Sequence, residues 1–298
     1  MTDQLPMPIP SPLTKAQKSQ LLNLVRRAAR AEILPRFRKI DMLDIETKSG
    51  ALDLVTAADK AAEAMITRGL QMSFPSALIV GEEAAEGNPK LRDGIAEAEM
   101  CFLIDPVDGT WNFAKGLATF GTMVAVCRFG KPVLGLIYDP LGDDVIWADE
   151  DHAAAFLPAS GAPRKVSTAA PKAFGDLLGY IHLKHMDKEA QPKVAALYPE
   201  LAMAGSLRCS AHEYRLLAQG HVDFVLSSQQ TPWDHAAGVV LCQQAGGHAA
   251  MLDGSDYSAA VREGYLLSAS CKDVWESVAQ KLIEIDLVPQ SQDATTEA

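Results

Sequence analysis

The sequence predicts an α+β fold in which sheets are covered by helices. Three observations carry that prediction. Two helical patterns open the chain, and a block of strand-like runs with hairpin punctuation follows. Beyond residue 163, short apolar strands alternate with helices.

Residues 15–36 carry helical spacing, with Leu21, Leu22, Val25, Ala28, Ala29 and Ile33 on one face. Residues 37–52 are polar and irregular, with Lys48-Ser49-Gly50 at the tip of a turn. Thr56 is placed as the N-cap of a second helix, whose apolar face runs through Ala58, Ala62, Met65, Ile66 and Leu70. Asp59 falls at its third position, where the helix dipole favours a carboxylate. Residues 77–80 form a strand that runs into Gly81-Glu82-Glu83. Residues 100–104 form another, which Pro106 is expected to end.

Three strand-like runs, 119–129, 133–138 and 144–148, are bounded by Gly130-Lys131-Pro132 and Pro140-Leu141-Gly142-Asp143. The acids Asp139, Asp143, Asp144, Asp149, Glu150 and Asp151 read as turn residues and solvated charge. Pro158 to Pro163, rich in Pro, Gly, Ser and Ala, marks a boundary between two halves. Then come a strand at 177–181, helices at 187–197 and 210–219, and a strand at 222–226. A helix at 233–245 ends in Gly246-Gly247, and a strand at 265–269 precedes a last helix at 272–285. The expected organisation is an N-terminal α+β subdomain over residues 14–157 and a C-terminal α/β subdomain over 158–288. The proline-rich lead 1–13 and the polar tail 289–298 are expected to be disordered.

At 298 residues and 48% hydrophobic, the chain can bury a sizeable core. A net charge of −11 argues against a nucleic-acid-binding surface and against anionic membrane. It does not argue against a phosphorylated substrate, because a bound cation inverts the local sign. Five scattered cysteines without a Cys-x-x-Cys pair read as reduced thiols, which predicts a cytoplasmic protein. The lead lacks the basic start and apolar core of a secretory leader. No run approaches the roughly 20 apolar residues of a membrane span.

The chemistry centres on Phe102-Leu-Ile-Asp-Pro-Val-Asp-Gly-Thr-Trp-Asn-Phe113. Asp105 and Asp108 flank a bend and can converge on one point, where they repel unless a cation neutralises them. An all-oxygen site of this kind suits Mg²⁺. Gly109 permits close backbone approach, and the N–H groups after it are placed to hold a phosphate. Glu82-Glu83 upstream and Trp233-Asp234-His235 downstream supply further acids at the ends of predicted elements.

Gly81-Glu-Glu83, Asp105-Pro-Val-Asp-Gly-Thr-Trp-Asn-Phe113 and Trp233-Asp-His-Ala-Ala-Gly238, in this order, resemble the inositol monophosphatase family of Mg²⁺-dependent, lithium-sensitive phosphatases. Asp53-Leu-Val-Thr-Ala-Ala-Asp59 resembles a fourth family stretch, and the likeness spans roughly residues 15 to 285. It implies a layered αβαβα sandwich of the sugar-phosphatase type, with the active site between two subdomains. It implies two or three Mg²⁺ per site. Glu82, Asp105 and the Val107 carbonyl would hold the first ion, and Asp105, Asp108 and Asp234 the second. Glu82 and Thr110, with Asp59 nearby, would orient and deprotonate water, while Gly109 and Thr110 would bind phosphate. Lys48 would lie in a loop beside the metals. The family is commonly dimeric, so a homodimer is expected.

The chain also departs from the family pattern. Inositol-specific members carry a glutamate where this chain has Ser227. The segment Ser206-Leu-Arg-Cys-Ser-Ala-His-Glu-Tyr214 replaces a Gly-Ser-Ala-Ala stretch, and puts Arg208 and Ser210 on the expected substrate wall. Arg208 suits a second anionic group. Three readings follow: a phosphatase of inositol monophosphate or a similar small polyol phosphate; the same chemistry on a 3′(2′),5′-bisphosphate nucleotide or histidinol phosphate; or a binding protein on this fold. Direct nucleic-acid contact is not expected.

Overall fold

The computed structural model describes residues 13–39, 45–50 and 53–287; of residues 45–50 and 53–55 it describes the backbone alone. The expected disordered segments, apart from Leu13, lie outside these residues, and so does the side chain of Lys48. Leu13 is buried.

Helices α1 (Lys15–Ala28) and α2 (Ala57–Ser73) flank the hairpin β1 (Ile45–Gly50) and β2 (Asp53–Thr56). The chain continues through β3 (Leu78–Gly81), α3 (Glu82–Gly87), β4 (Cys101–Asp108) and α4 (Thr110–Ala114). An antiparallel meander follows: β5 (Gly121–Arg128), β6 (Lys131–Asp139), β7 (Asp144–Asp149), β8 (His152–Leu157) and β9 (Arg164–Lys165). The rest comprises β10 (Leu178–Ile181), α5 (Ala190–Ala195), β11 (Met203–Gly205), α6 (Ser210–Ala218) and β12 (Phe224–Ser227). It closes with α7 (Pro232–Gln244), β13 (His248–Met251), β14 (Leu266–Ala269) and α8 (Lys272–Glu284).

Strands β3 to β9 form one sheet in sequence order, parallel only between β3 and β4. The second sheet has the order β11-β10-β12-β14-β13. Period-two alternation assigns the faces. In β4, Phe102 and Ile104 join the core under α1 and α2, while Cys101 and Leu103 join the core under α6 and α7. In β12, Val225 faces that same middle core, while Phe224 and Leu226 face the α8 side. The layers therefore run helix, sheet, helix, sheet, helix, the αβαβα sandwich.

Three readings of the sequence are corrected. Residues 45–50, read as part of an irregular stretch with Lys48-Ser49-Gly50 at its tip, form strand β1, paired antiparallel with β2. Pro106 does not end its strand: β4 continues to Asp108, and the ladder with β5 shifts register between Asp105 and Asp108. A proline at a bulge removes no ladder hydrogen bond. Nor is Asp149 solvated turn charge. It is fully buried, paired with Lys18 of α1 and with His152, and so ties the outer helix to β7.

Candidate active site

The bulge in β4 sets the geometry. On a regular strand, residues 105 and 108 would point to opposite faces. Here Asp105 pairs with Met123 and Asp108 with Gly121, so three steps on β4 oppose two on β5. The extra residue turns both aspartates to one side. Asp234, in the first turn of α7, completes the group: one carboxylate oxygen from each of Asp105, Asp108 and Asp234 lies within 4.8 Å of the others.

Helix starts surround this cluster. Asp59 stands in the first turn of α2, Glu82 and Glu83 in that of α3, and Asp234 in that of α7. Thr110 opens α4, and Ala211 in the first turn of α6 donates its N–H to Asp108 Oδ2 at 2.5 Å. Helix N-termini favour negative charge, which offsets part of the cost of gathering so many acids. The remainder is large. Burial first, then the charges of Glu82, Asp108 and Asp234, hold the Asp105 carboxyl well above its ordinary value. Burial and Asp234 push Asp108 up to about 7, against the lowering effect of bonds from Cys209 and Ala211.

Asp59 is arranged differently. Thr56 donates its N–H (2.9 Å) and hydroxyl (2.5 Å) to Asp59 Oδ2 in the capping box the sequence predicts. Oδ1 is left toward Thr110 Oγ1, 3.2 Å away. The same hydroxyl lies 3.1 Å from the Val107 carbonyl oxygen. Burial, reinforced by Glu83, pushes Asp59 up to about 7 even with these bonds. Gly109 precedes Thr110 at φ 86°, and a Cβ there would meet the Thr119 carbonyl oxygen at 2.9 Å and Cys209 Sγ at 3.2 Å. Only glycine fits that turn.

A buried, all-carboxylate donor set that resists ionisation suits a hard, oxygen-seeking cation. The model of the inositol monophosphatase family matches residues 16–286.

The chain belongs to that family.

An inositol-1-monophosphatase of Bacillus subtilis is 28% identical over 218 residues, 73% of this chain and 80% of the relative. The Nus factor SuhB of Escherichia coli is 31% identical over 237 residues, 76% and 83%. Among solved structures, a Thermotoga maritima IMPase superposes with a TM-score of 0.75 at 22% identity, covering 91% of this chain and 98% of that one.

Within this inositol monophosphatase fold, Asp59, Glu82, Asp105, Val107, Asp108, Gly109, Thr110 and Asp234 gather around one locus. Glu83 is half-buried beside Asp59, not an exposed loop acid. Trp233 is buried with the Arg92 guanidinium 5.6 Å from its ring centre, a packing role. His235 turns away to Tyr214 and the Gln229 carbonyl, as its helical position implies. Arg208 is exposed, adopts φ 55° and stacks at 4.3 Å on Trp111. Ser210 opens α6 and is buried. Ser227 is buried, with its hydroxyl turned to the Gln229 carbonyl at 3.3 Å.

Sequence reasoning missed Glu63. Gly81, the N-cap of α3, has no side chain to cap it; Glu63 reaches across from α2 instead, accepting from Glu83 N (2.8 Å) and Ala84 N (2.9 Å). A Cβ on Gly81 would sit 2.2 Å from the Glu63 carboxyl carbon, so this contact requires glycine. The signal was present: Glu63 lies one helical turn after Asp59, an acid inside an apolar stripe.

Proposed function

We propose that this chain is a Mg²⁺-dependent phosphatase of small phosphate monoesters. The observation that carries the reading is the convergence of Asp105, Asp108 and Asp234 beside the Asp59–Thr110 pair. Glu82, Asp105 and the Val107 carbonyl would hold one Mg²⁺, and Asp105, Asp108 and Asp234 another. Bound Mg²⁺ neutralises phosphate oxygens, stabilises the leaving alkoxide and makes water more acidic.

The chain's own groups do the rest. Thr110 donates to Asp59 Oδ1, which turns its lone pairs outward to accept from the attacking water. Thr56 fixes the Asp59 carboxylate in a geometry suited to receive a proton. Glu82 orients the same water. The N–H groups of Gly109 and Thr110 face the phosphate, because the left-handed turn at Gly109 exposes them at the start of α4.

The substrate class we favour is inositol monophosphate or a similar polyol phosphate; 3′(2′),5′-bisphosphate nucleotides and histidinol phosphate use the same chemistry. The subunits are proposed to pair as a homodimer in the cytoplasm. The resemblance to SuhB, named a Nus factor, supports a second reading as a regulatory binding protein. The test is phosphate release from a panel of inositol, sugar, polyol and nucleotide phosphates. Release should need Mg²⁺, stop with EDTA and return when Mg²⁺ is restored. Millimolar Li⁺ should inhibit where equal NaCl does not. Release undiminished in chelator would overturn the mechanism.

A further inference from the structure

The crossover between the parallel strands β3 and β4 carries more than Glu82. After α3 it runs through a 3₁₀ turn, Pro89–Gly94, which lies against the loop leading into α7. From this turn Arg92 donates through Nη2 to the Gln230 carbonyl at 2.5 Å and to the Val261 carbonyl at 3.3 Å. Its guanidinium also covers the Trp233 ring. One side chain of the first half thus ties two segments of the second.

The loop that Arg92 reaches, residues 228–231, sets the position of Asp234. The Gln229 carbonyl accepts from His235 Nε2 at 2.8 Å and from Ser227 Oγ at 3.3 Å, groups of α7 and β12 themselves. The Gln230 carbonyl accepts from Arg92, which comes from the half that carries Asp105 and Asp108. One residue further on, Thr231 donates its hydroxyl to Asp234 Oδ2 at 2.5 Å. The path from guanidinium to carboxylate is therefore short. A restraint is needed there, because the Asp234 charge opposes ionisation of both Asp105 and Asp108. That repulsion drives the first turn of α7 away from β4. The guanidinium counters it by holding the loop, and Asp234 in turn favours its charge. The place is otherwise a poor one for a cation. Arg92 is half-buried, its Nε bonds no protein group among the described residues, and burial, then Arg262, oppose its charge. An apolar chain would cover Trp233 without that cost, so packing alone does not call for arginine.

We propose that Arg92 is a positioning residue of the cation site: by holding Gln230 it sets Asp234 at the separation from Asp105 and Asp108 at which one divalent cation meets all three. This assignment rests on the metal reading proposed above. A guanidinium has no lone pair to give a cation, so Arg92 acts only through Asp234. The crossover that begins with Glu82 then serves both expected ions, one by a ligand and one by this tie.

Calorimetric Mg²⁺ binding to the whole chain gives the first test. Arg92→Met keeps an apolar cover on Trp233 and removes the charge and the donors. It should weaken Mg²⁺ binding about 10- to 100-fold, the usual cost of losing a group that orients a metal ligand. Arg262→Met breaks the exposed Arg262–Asp93 pair across the same junction and should leave the affinity unchanged. Arg92→Lys is shorter, should weaken binding in the same direction, and carries both measurements if Arg92→Met does not fold. The second measurement needs no Mg²⁺. In chelator, the drop in Tm caused by Arg92→Met should be smaller in an Asp234→Asn background, where the repelling charge has gone; a role in packing alone gives equal drops. Unchanged Mg²⁺ affinity in Arg92→Met, an equal loss in Arg262→Met, or an equal or larger drop in the Asp234→Asn background overturns the inference. If the unmodified protein takes up no Mg²⁺, the metal reading fails, and the Tm comparison in chelator decides the placement of Asp234 alone. A smaller drop beside Asp234→Asn then supports it, and an equal one overturns it.

Discussion

Asp105 bears a heavy electrostatic load, since burial and three neighbouring acids all oppose its charge. Removing that charge should separate function from stability. Asp105→Asn is expected to lower kcat/KM at least about a thousandfold, roughly 4 kcal/mol of transition-state stabilisation. The metal-free variant should melt no lower than the metal-free parent, because a repelling carboxyl has gone. An active Asp105→Asn protein would sink the mechanism. Thr110 has the opposite profile. Its hydroxyl lies 3.2 Å from Asp59 Oδ1, so under the proposed mechanism Thr110→Val should cost about 10² to 10⁴ in kcat, the usual range for a lost proton-transfer partner. KM should change little, and steady-state kinetics on both parameters checks this. These residues were legible because motif chemistry names acids directly. Glu213 was not: nothing in its place four residues into a helix signals burial, and only the fold reveals His182 opposite it.

At the scale of elements, α3 depends on a partner from elsewhere in the chain. Its N-cap is glycine, so Glu63 of α2 does the capping, and Glu82 stands at the first position of the helix so held. Glu63→Ala should therefore lower stability by about 1–2 kcal/mol, the usual cost of a lost cap. It should also weaken Mg²⁺ binding although Glu63 is not among the expected ligands. Denaturant titration and calorimetry on one preparation test both halves of the prediction. Most elements were legible from apolar periodicity, within a residue or two at the ends. Among the strands that were not, β8, β11 and β13 read His-Ala-Ala-Ala-Phe-Leu, Met-Ala-Gly and His-Ala-Ala-Met. Alanine and glycine carry little strand preference, so neighbours in the sheet decide these segments. The continuation of β4 through Pro106 was hidden for a related reason: a proline reads as a stop unless the partner strand is in view.

At the scale of the molecule, acids raised to about 7 make the metal-free fold sensitive to pH. Asp59 and Asp108 hold protons in the folded state that they lose near their ordinary value of 3.8 once unfolded. Between about pH 4 and pH 7 the unfolded chain therefore binds fewer protons than the folded one, and stability falls as pH rises through that window. The Tm of the metal-free protein should drop from pH 5 to pH 8. Mg²⁺ should reverse the trend by binding the ionised acids, adding about 2.7 kcal/mol at a hundredfold excess over Kd. Binding near pH 6.5 should also release protons, seen as a calorimetric heat that varies with the buffer's ionisation enthalpy. A Tm that rises with pH in chelator would contradict the arrangement of the site. Among the described residues no helix is long and apolar enough to cross a membrane.

The bulge in β4 makes the site a matter of parity. Odd and even positions of a strand belong to different layers, and the single extra residue between Asp105 and Asp108 moves the second acid from one class to the other. Were the bulge ironed out with every residue kept, three steps would oppose three, and residue 108 would point into the layer of α1 and α2. The sheet would be tidier and the cation site would lose an acid. Removing one residue together with the bulge would instead leave two steps opposite two and keep residue 108 on the side of Asp105.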